Sequence, residues 1–209
     1  FLGKKVYPKE MDGTEINAFL LATFDGNSDD ELDQIIEKAS EGVLEAGAID
    51  VLVADTPKLL SDAWSVRSAL LEAIEADTDL LDECDVVVPI NKIPEFLKYA
   101  KSLESEFDFK VKSFGHAGDG NLHIYTCSNE ENKMEEDEFK RQADEFMKKV
   151  YAKATEFGGL ISGEHGIGCG KIHYLEDFAG PVNMRLMKGI KEVFDPNMIL
   201  NPGKVCYDL

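Results

Sequence analysis

The sequence predicts one domain in which strands and helices alternate. Its 209 residues are 44% hydrophobic, which is enough to bury one sizeable core, and the length lies just above that of a usual single domain. Short β-rich apolar runs are separated by longer stretches with helical periodicity, and glycine turns follow several of them. These observations favour a mixed fold of helices and strands with its functional residues at strand ends and turns.

The first half of the chain predicts a strand, a helix, a second strand and a second helix. The two strands are the apolar runs at residues 16–26 and 48–55. The first helix lies between them at residues 28–47, because Ser28 opens a capping box and an apolar stripe of helical period follows it. The second helix begins at Pro57 and carries Trp64, Arg67, Leu70, Leu71 and Ile74.

The second half continues this alternation and ends in a turn-rich segment. Strand patterns and helical patterns are told apart by the spacing of their apolar residues, which is two in a strand and between three and four in a helix. The predicted strands are residues 84–90, 109–116 and 121–127, and the predicted helices are residues 92–107, 134–157 and 180–194.

Charge and composition exclude several classes of function. The chain has 41 acidic and 22 basic residues and a net charge of −19, which repels nucleic acid and anionic lipid surfaces. No apolar run reaches the ~20 residues that span a bilayer, and no leader opens the chain, so we expect a cytoplasmic location. The four cysteines are widely spaced without a C-x-x-C pair, which favours reduced thiols.

Two histidines flank a glycine-rich turn in FGHAGDGNLH, residues 114–123. His116 ends one predicted strand and His123 lies near the start of the next. A chain reversal at the intervening glycines would direct both imidazoles towards one point.

A second glycine-framed stretch, GGLISGEHGIGCGK, contains Glu164 and His165. If the two loops face each other, His116, His123 and Glu164 offer two nitrogens and one carboxylate oxygen. Such a set suits Zn²⁺, Mn²⁺, Fe²⁺ or Co²⁺ and leaves coordination positions open for water or substrate.

Other interpretations of these loops are open. The histidines could cap a turn and pack in the core, while Glu164 could be a solvated acid. A non-haem iron oxygenase uses the same ligand set, but usually on a barrel of many short strands, whereas this chain is helix-rich. The glycine runs match neither nucleotide-binding pattern, because the P-loop position for Ser or Thr holds Ile172 and the third glycine of G-x-G-x-x-G is missing.

Three long motifs, GHAGDGNLH, GGLISGEHGIG and FDPNMILNPGK, carry a resemblance that covers nearly the whole chain. In this order and at these separations they resemble the C-terminal half of FAD-linked oxidases and dehydrogenases of the vanillyl-alcohol oxidase superfamily. The branch is that of the glycolate oxidase subunit, D-lactate dehydrogenase and D-2-hydroxyglutarate dehydrogenase. The resemblance implies one domain over residues 1–209, an α+β fold with an antiparallel sheet and helices packed on one face, a ferredoxin-like cap domain.

The same resemblance implies cofactors and residue roles. FAD would be held mainly by an N-terminal domain of the same protein that is absent from this chain, and a divalent metal, Zn, Fe or Mn, would be bound here. The metal ligands would be His116, His123 and Glu164, the catalytic base His165, the substrate-binding residue Arg67 and the residue near the flavin Asn201. Alternatives are that Arg67 is an ordinary helix arginine, that Asn201 is a turn former, and that His165 is a fourth ligand or a loop residue.

The implied reaction is the oxidation of a small 2-hydroxy acid. A second basic residue that some 2-hydroxyglutarate enzymes have before VVVP is absent, since this sequence reads DECD there, which favours glycolate or D-lactate over a dicarboxylate. An electron-transfer flavoprotein and a second copy of the chain are further expected partners, and Asp119 is a candidate for orienting an imidazole. The alternative from another class is an interaction module of a flavoprotein complex that performs no chemistry.

Overall fold

A computed structural model describes residues 9–206 and confirms a mixed α+β fold. The contacts divide the chain into two units, and the division lies between Ala73 and Ile74. The helices and strands in chain order are β1 (Glu10–Met11), β2 (Thr14–Glu15), α1 (Asp29–Glu45), α2 (Pro57–Ser68), α3 (Leu70–Ala76), β3 (Leu80–Val87), α4 (Ile93–Ser102), β4 (Lys110–His116), β5 (Asn121–Ser128), α5 (Glu136–Glu156) and α6 (Ile172–Phe194).

Both predicted helices begin as expected and side chains cap both, but the second ends at Ser68, and a separate helix, α3, carries Leu70, Leu71 and Ile74. The Ser28 hydroxyl accepts a hydrogen bond from the Glu31 N–H at 3.2 Å, which satisfies one free donor at the start of α1. Thr56 does the same for Leu59 in front of α2, whose first residue is the predicted proline.

The predicted strands at residues 16–26 and 48–55 are wrong. Both segments are rich in apolar residues that favour strands, but within residues 9–206 neither forms a strand. Leu20 and Leu52 are 70% and 76% exposed. A β-rich composition sets a local preference, whereas a strand also requires a neighbour that pairs with its N–H and C=O groups. The sequence of each segment shows a preference for strand conformation, but it does not show whether another strand pairs with it.

An antiparallel sheet with the strand order β3-β5-β4 forms the centre of the second unit. In its register His123 of β5 lies between Asp85 of β3 and Phe114 of β4. The three predicted strands of this half are therefore confirmed, although β3 begins at Leu80 rather than at residue 84.

Helices α4 and α5 pack on one face of this sheet, as expected. Alternate strand residues such as Val86 and Ile124 are fully buried there against Phe96 of α4 and Phe146 of α5. The residues between them, including Glu83, Asp85 and His123, must then point to the opposite face. That opposite face carries the candidate site.

Helix α6 is longer than predicted and is interrupted at Gly180, whose φ of 72° and ψ of 165° are not helical. Pro181 follows, and the residue before a proline avoids the helical conformation, so a new helical segment begins there. The second segment is therefore the helix predicted at residues 180–194, and the first was not predicted.

In residues 9–206 no helix is both long and apolar enough to cross a membrane. The cytoplasmic location stays a prediction.

Candidate active site

The turn between β4 and β5 places His116 and His123 next to each other. The His116 carbonyl accepts a hydrogen bond from the Gly120 N–H at 3.0 Å, which closes the reversal. Gly120 has a φ of 84°, and a Cβ there would lie 2.1 Å from the Val88 carbonyl oxygen, so that only glycine fits. The imidazole centroids of the two histidines are 5.8 Å apart as a result.

The second glycine-framed loop, residues 158–171, is attached to the end of β3. Leu160 and Val87 exchange two backbone hydrogen bonds of 2.8 and 3.0 Å. A Cβ at Gly159 would lie 2.1 Å from the Val87 carbonyl oxygen, so this close approach also requires glycine. The two predicted loops therefore face each other across the sheet end.

Asp85 fixes the part of this loop that carries Glu164 and His165. Its carboxylate is fully buried, and Oδ2 accepts hydrogen bonds from the backbone N–H groups of Gly163, Glu164 and His165 at 3.0, 3.1 and 2.9 Å. The Ser162 hydroxyl donates to the same oxygen at 3.0 Å.

These bonds decide the charge of Asp85. Burial by itself raises its pKa. The hydrogen bonds from the His165 N–H, the Asn121 amide and the Ser162 hydroxyl outweigh burial and lower the pKa to about 2. Asp85 is therefore an ionised acid whose hydrogen bonds hold the loop. The contact is tight, because a Cβ at Gly163 would lie 1.6 Å from Asn121 Nδ2.

Three predicted ligands converge on one point. Glu164 Oε1 lies 3.2 Å from His123 Nε2 and 3.6 Å from His116 Nε2, and the three donor atoms all lie within 4.8 Å of one another. An ion that is tetrahedrally coordinated at 2.0–2.2 Å separates its ligand atoms by about 3.4 Å. The three residues thus fit a divalent ion, and metal binding itself stays a prediction.

His165 lies beside this cluster. Its ring stacks on His123 with centroids 4.9 Å apart and an interplanar angle of 23°. His165 Nε2 lies 4.0 Å from Glu164 Oε1, further than either His116 or His123. His123 is buried, whereas the side chains of His116, Glu164 and His165 are 39%, 54% and 43% exposed, so the cluster is accessible to solvent.

Sequence analysis missed two carboxylates, Glu83 and Asp85. Glu83 Oε1 lies 3.0 Å from His123 Nδ1 and 3.2 Å from His165 Nδ1. The signal that could have found both acids is their alternation in β3 with the buried Cys84 and Val86, since an acid among buried apolar residues needs a partner. Asp119, which the sequence suggested as the residue that orients an imidazole, instead accepts a hydrogen bond from the Asn121 N–H at 2.9 Å.

Two further predicted site residues belong to α2 and to the segment after α6. Arg67 is half-buried in α2, in the first unit. Asn201 is exposed with a φ of 46°, a left-handed conformation that suits asparagine in a turn. The roles of both residues stay predictions.

The chain is similar along nearly its whole length to a known family and to several curated proteins. Residues 4–205 match the family described as FAD linked oxidases, C-terminal domain. The chain is 77% identical over its full length to a D-lactate dehydrogenase of Anaerostipes hadrus, of which it covers 43%. It is 32% identical over 206 residues, or 98% of its length, to a D-2-hydroxyglutarate dehydrogenase of Stutzerimonas stutzeri, and covers 43% of that protein.

A glycolate oxidase subunit of Bacillus subtilis is 34% identical over 92% of this chain, which covers 40% of that subunit. The chain thus spans less than half the length of these curated relatives. The match at residues 4–205 includes the sheet, both glycine-framed loops and the C-terminal turn. The chain therefore belongs to the family of C-terminal domains of FAD-linked oxidases.

Proposed function

We propose that the chain is the metal-binding and substrate-binding part of an FAD-dependent 2-hydroxy-acid dehydrogenase of the D-lactate or glycolate type. The observation that carries the proposal is the position of Glu164 Oε1, 3.2 and 3.6 Å from the Nε2 atoms of His123 and His116, with His165 stacked alongside. The 77% identity to a D-lactate dehydrogenase and the 34% identity to a glycolate oxidase subunit support the substrate class.

The charge around the cluster supports a substrate with one carboxylate. Glu83 and Glu164 both direct carboxylates at the imidazoles, and Asp85 is ionised behind them. A second carboxylate on the substrate would be repelled if it lay near these acids. This agrees with the absence of a basic residue in the DECD stretch at positions 82–85.

His165 is proposed to move the proton. Bound FAD would supply the acceptor for the α-hydrogen and its electron pair, and the substrate hydroxyl would lose its proton. A divalent ion held by His116, His123 and Glu164 would polarise that hydroxyl oxygen. His165 Nε2, open to solvent and next to Glu164, is the group that accepts the hydroxyl proton.

The remaining roles rest on the family. Arg67 binds the substrate carboxylate, which fixes the face that the α-carbon presents, and Asn201 lies near the flavin. The FAD-binding partner is proposed to be an N-terminal domain of the same protein, which the family's description as a C-terminal domain supports. An electron-transfer flavoprotein as electron acceptor, and a homodimer, belong to the same proposal.

Anaerobic flavin bleaching in the full-length protein tests this function. With FAD and Zn²⁺ or Mn²⁺ present, D-lactate or glycolate should reduce the flavin faster than D-2-hydroxyglutarate. If no 2-hydroxy acid reduces the flavin while the protein is folded and loaded with FAD and metal, the proposal is wrong and an interaction module without chemistry replaces it.

A change of His165 to Asn should lower turnover by roughly 10²–10⁴-fold, the usual contribution of a positioned base. Metal content should stay unchanged, because His165 Nε2 is further from Glu164 than the nitrogens of the two proposed ligands. Steady-state rates and elemental analysis measure the two effects. Turnover within a few-fold of the parent would remove His165 from the mechanism, and loss of the ion would make it a ligand.

A further inference from the structure

Glu83 contacts both of the stacked imidazoles on their side away from Glu164. Its Oε1 lies 3.0 Å from His123 Nδ1 and 3.2 Å from His165 Nδ1. In the function proposed above Glu83 contributes only negative charge, and it has no part there in metal binding or proton transfer. One carboxylate oxygen thus faces the same nitrogen of two rings that have different proposed roles.

The chemistry of a carboxylate decides which nitrogen of each ring carries the proton. An ionised carboxylate only accepts hydrogen bonds, so a neutral imidazole can bond to it only when that imidazole is protonated at Nδ1. The lone pair of each ring is then on Nε2. In both rings Nε2 is the atom that faces Glu164 Oε1, at 3.2 Å for His123 and 4.0 Å for His165.

The surroundings of Glu83 hold its carboxylate in place. The Tyr125 hydroxyl donates a hydrogen bond to the same oxygen at 3.1 Å. In the sheet register Glu83 is the direct cross-strand partner of Tyr125. Phe114 stacks on Tyr125 and packs against the His123 ring, which limits rotation of both.

We infer that Glu83 is a positioning residue that fixes His123 and His165 in the tautomer with a free Nε2, preparing one ring to bind a metal and the other to accept a proton. The inference rests on the proposed function for those two roles. A single oxygen therefore couples metal affinity to base competence, as the orienting acid does for one histidine in other sites.

A rival arrangement uses the same atoms. Glu83, His123 and His165 also lie close enough together to hold a cation themselves. His123 would then bind that cation through Nδ1, and it could bind a second one through Nε2 only after losing both ring protons. The two ion positions are therefore alternatives, and only the position at Glu164 is compatible with our inference.

The tautomers can be observed directly in the full-length protein with ¹⁵N-labelled histidine. The ring signals of His123 and His165 are assigned by their loss in the two His→Asn variants. We expect Nδ1–H with unprotonated Nε2 in both rings of the parent protein before metal addition. Protonation of either ring at Nε2 alone would overturn the inference, and the tautomers themselves are observed in the parent protein.

Glu83→Gln tests the consequence, because its amide has one acceptor oxygen and presents donors where a carboxylate has none. Zn²⁺ affinity, measured by competition with a chelator, should fall roughly 10–100-fold, as expected when a partner of a ligating histidine is removed. The His165 ring should show a mixture of tautomers. Glu75→Gln is the matched control, since it removes the same charge near Tyr125 and should change neither quantity.

Failure of this inference differs from failure of the proposed function. If Glu83→Gln keeps the parent zinc affinity and both Nδ1–H tautomers, Glu83 has no positioning role even when the protein oxidises hydroxy acids. If Glu83→Gln abolishes zinc binding while His116→Ala retains it, the ion lies at Glu83 and the inference is overturned. Absence of hydroxy-acid oxidation, with both ring tautomers as expected, would instead contradict the function alone.

Discussion

Asp85 shows how a single buried charge can organise a functional loop. Four donors from residues 162–165 converge on its Oδ2, and Asn121 binds Oδ1 at 2.7 Å. The loop then has no need of a helix or strand to hold Glu164 and His165 in position. Precision at the site comes from the rigid strand β3 rather than from the loop itself.

Asp85→Asn should lower the free energy of unfolding by about 2–4 kcal/mol, because the amide group places its own donors among the backbone N–H groups. Urea denaturation measures the loss. Ser162→Ala is the comparison, since it removes only one of the four donors to Oδ2 and should cost about 1–2 kcal/mol. An Asp85→Asn variant as stable as the parent would show that the loop is held by other contacts.

At this scale the sequence predicts His116 and His123 but not Glu83 and Asp85, and the reason is physical. Strand periodicity and glycine turns were enough to bring His116 and His123 together, because both rules are local. Glu83 and Asp85 have partners 40 and 80 residues away in His123 and His165, and such pairings depend on the register between strands and loops. Without that register, the sequence does not distinguish Asp85 and Glu83 from ordinary solvent-exposed acids.

At the scale of elements, Asp195 organises the segment that follows α6. Its carboxylate accepts hydrogen bonds from the N–H groups of Ile199 and Leu200 at 3.0 and 2.9 Å and pairs with Lys191 at 2.9 Å. Lys191 Nζ also donates to the Leu200 carbonyl at 2.7 Å. The turn that carries Asn201 is thus attached to the end of the helix.

Acid should loosen this turn. The bond from Lys191 and those from Leu200 and Ile199 lower the pKa of Asp195 below its usual value of 3.8. A lowered folded-state pKa stabilises the fold above the unfolded value and loses that effect as pH falls through the folded value. Exchange protection at Ile199 and Leu200, corrected for intrinsic rates, should therefore be full near neutral pH and decrease below about pH 4.

Asp195→Asn should produce the same loosening at neutral pH, with exchange at the Ile199 and Leu200 amides faster by roughly tenfold, because a neutral acceptor is weaker. Hydrogen exchange followed by mass spectrometry gives the rates. Asp177→Asn, at an exposed position of the same helix, should leave them unchanged. Equal protection in the parent and in the Asp195→Asn variant would assign the turn to its backbone bonds alone.

Element prediction succeeded where the determinants are local. The caps of α1 and α2 and the apolar stripe of α5 are specified within a few residues. Residues 16–26 and 48–55 had equally good strand patterns, yet they form no strand in the described chain. Pairing is a property of two segments, and an analysis of one segment at a time does not contain it.

At the scale of the whole molecule, charge and exposed apolar surface are the features that a partner would encounter. The chain carries a net charge of −19, whereas the second segment of α6 exposes Leu186, Ile190 and Val193 at a spacing of three to four residues. Apolar surface of this kind commonly marks an interaction site. It accords with the proposal that an FAD-binding domain is the partner.

The chain of 209 residues expressed alone should be colourless. Gly120 abuts the Val88 carbonyl and Gly163 abuts Asn121, so neither of these two glycines leaves room for a phosphate. The negative net charge further disfavours the FAD diphosphate. After incubation with FAD and gel filtration, the absorption spectrum should lack flavin bands, while the full-length protein treated identically should elute yellow. Flavin that co-elutes with the isolated chain in a stoichiometric amount would contradict the proposal that FAD is bound mainly by a separate domain.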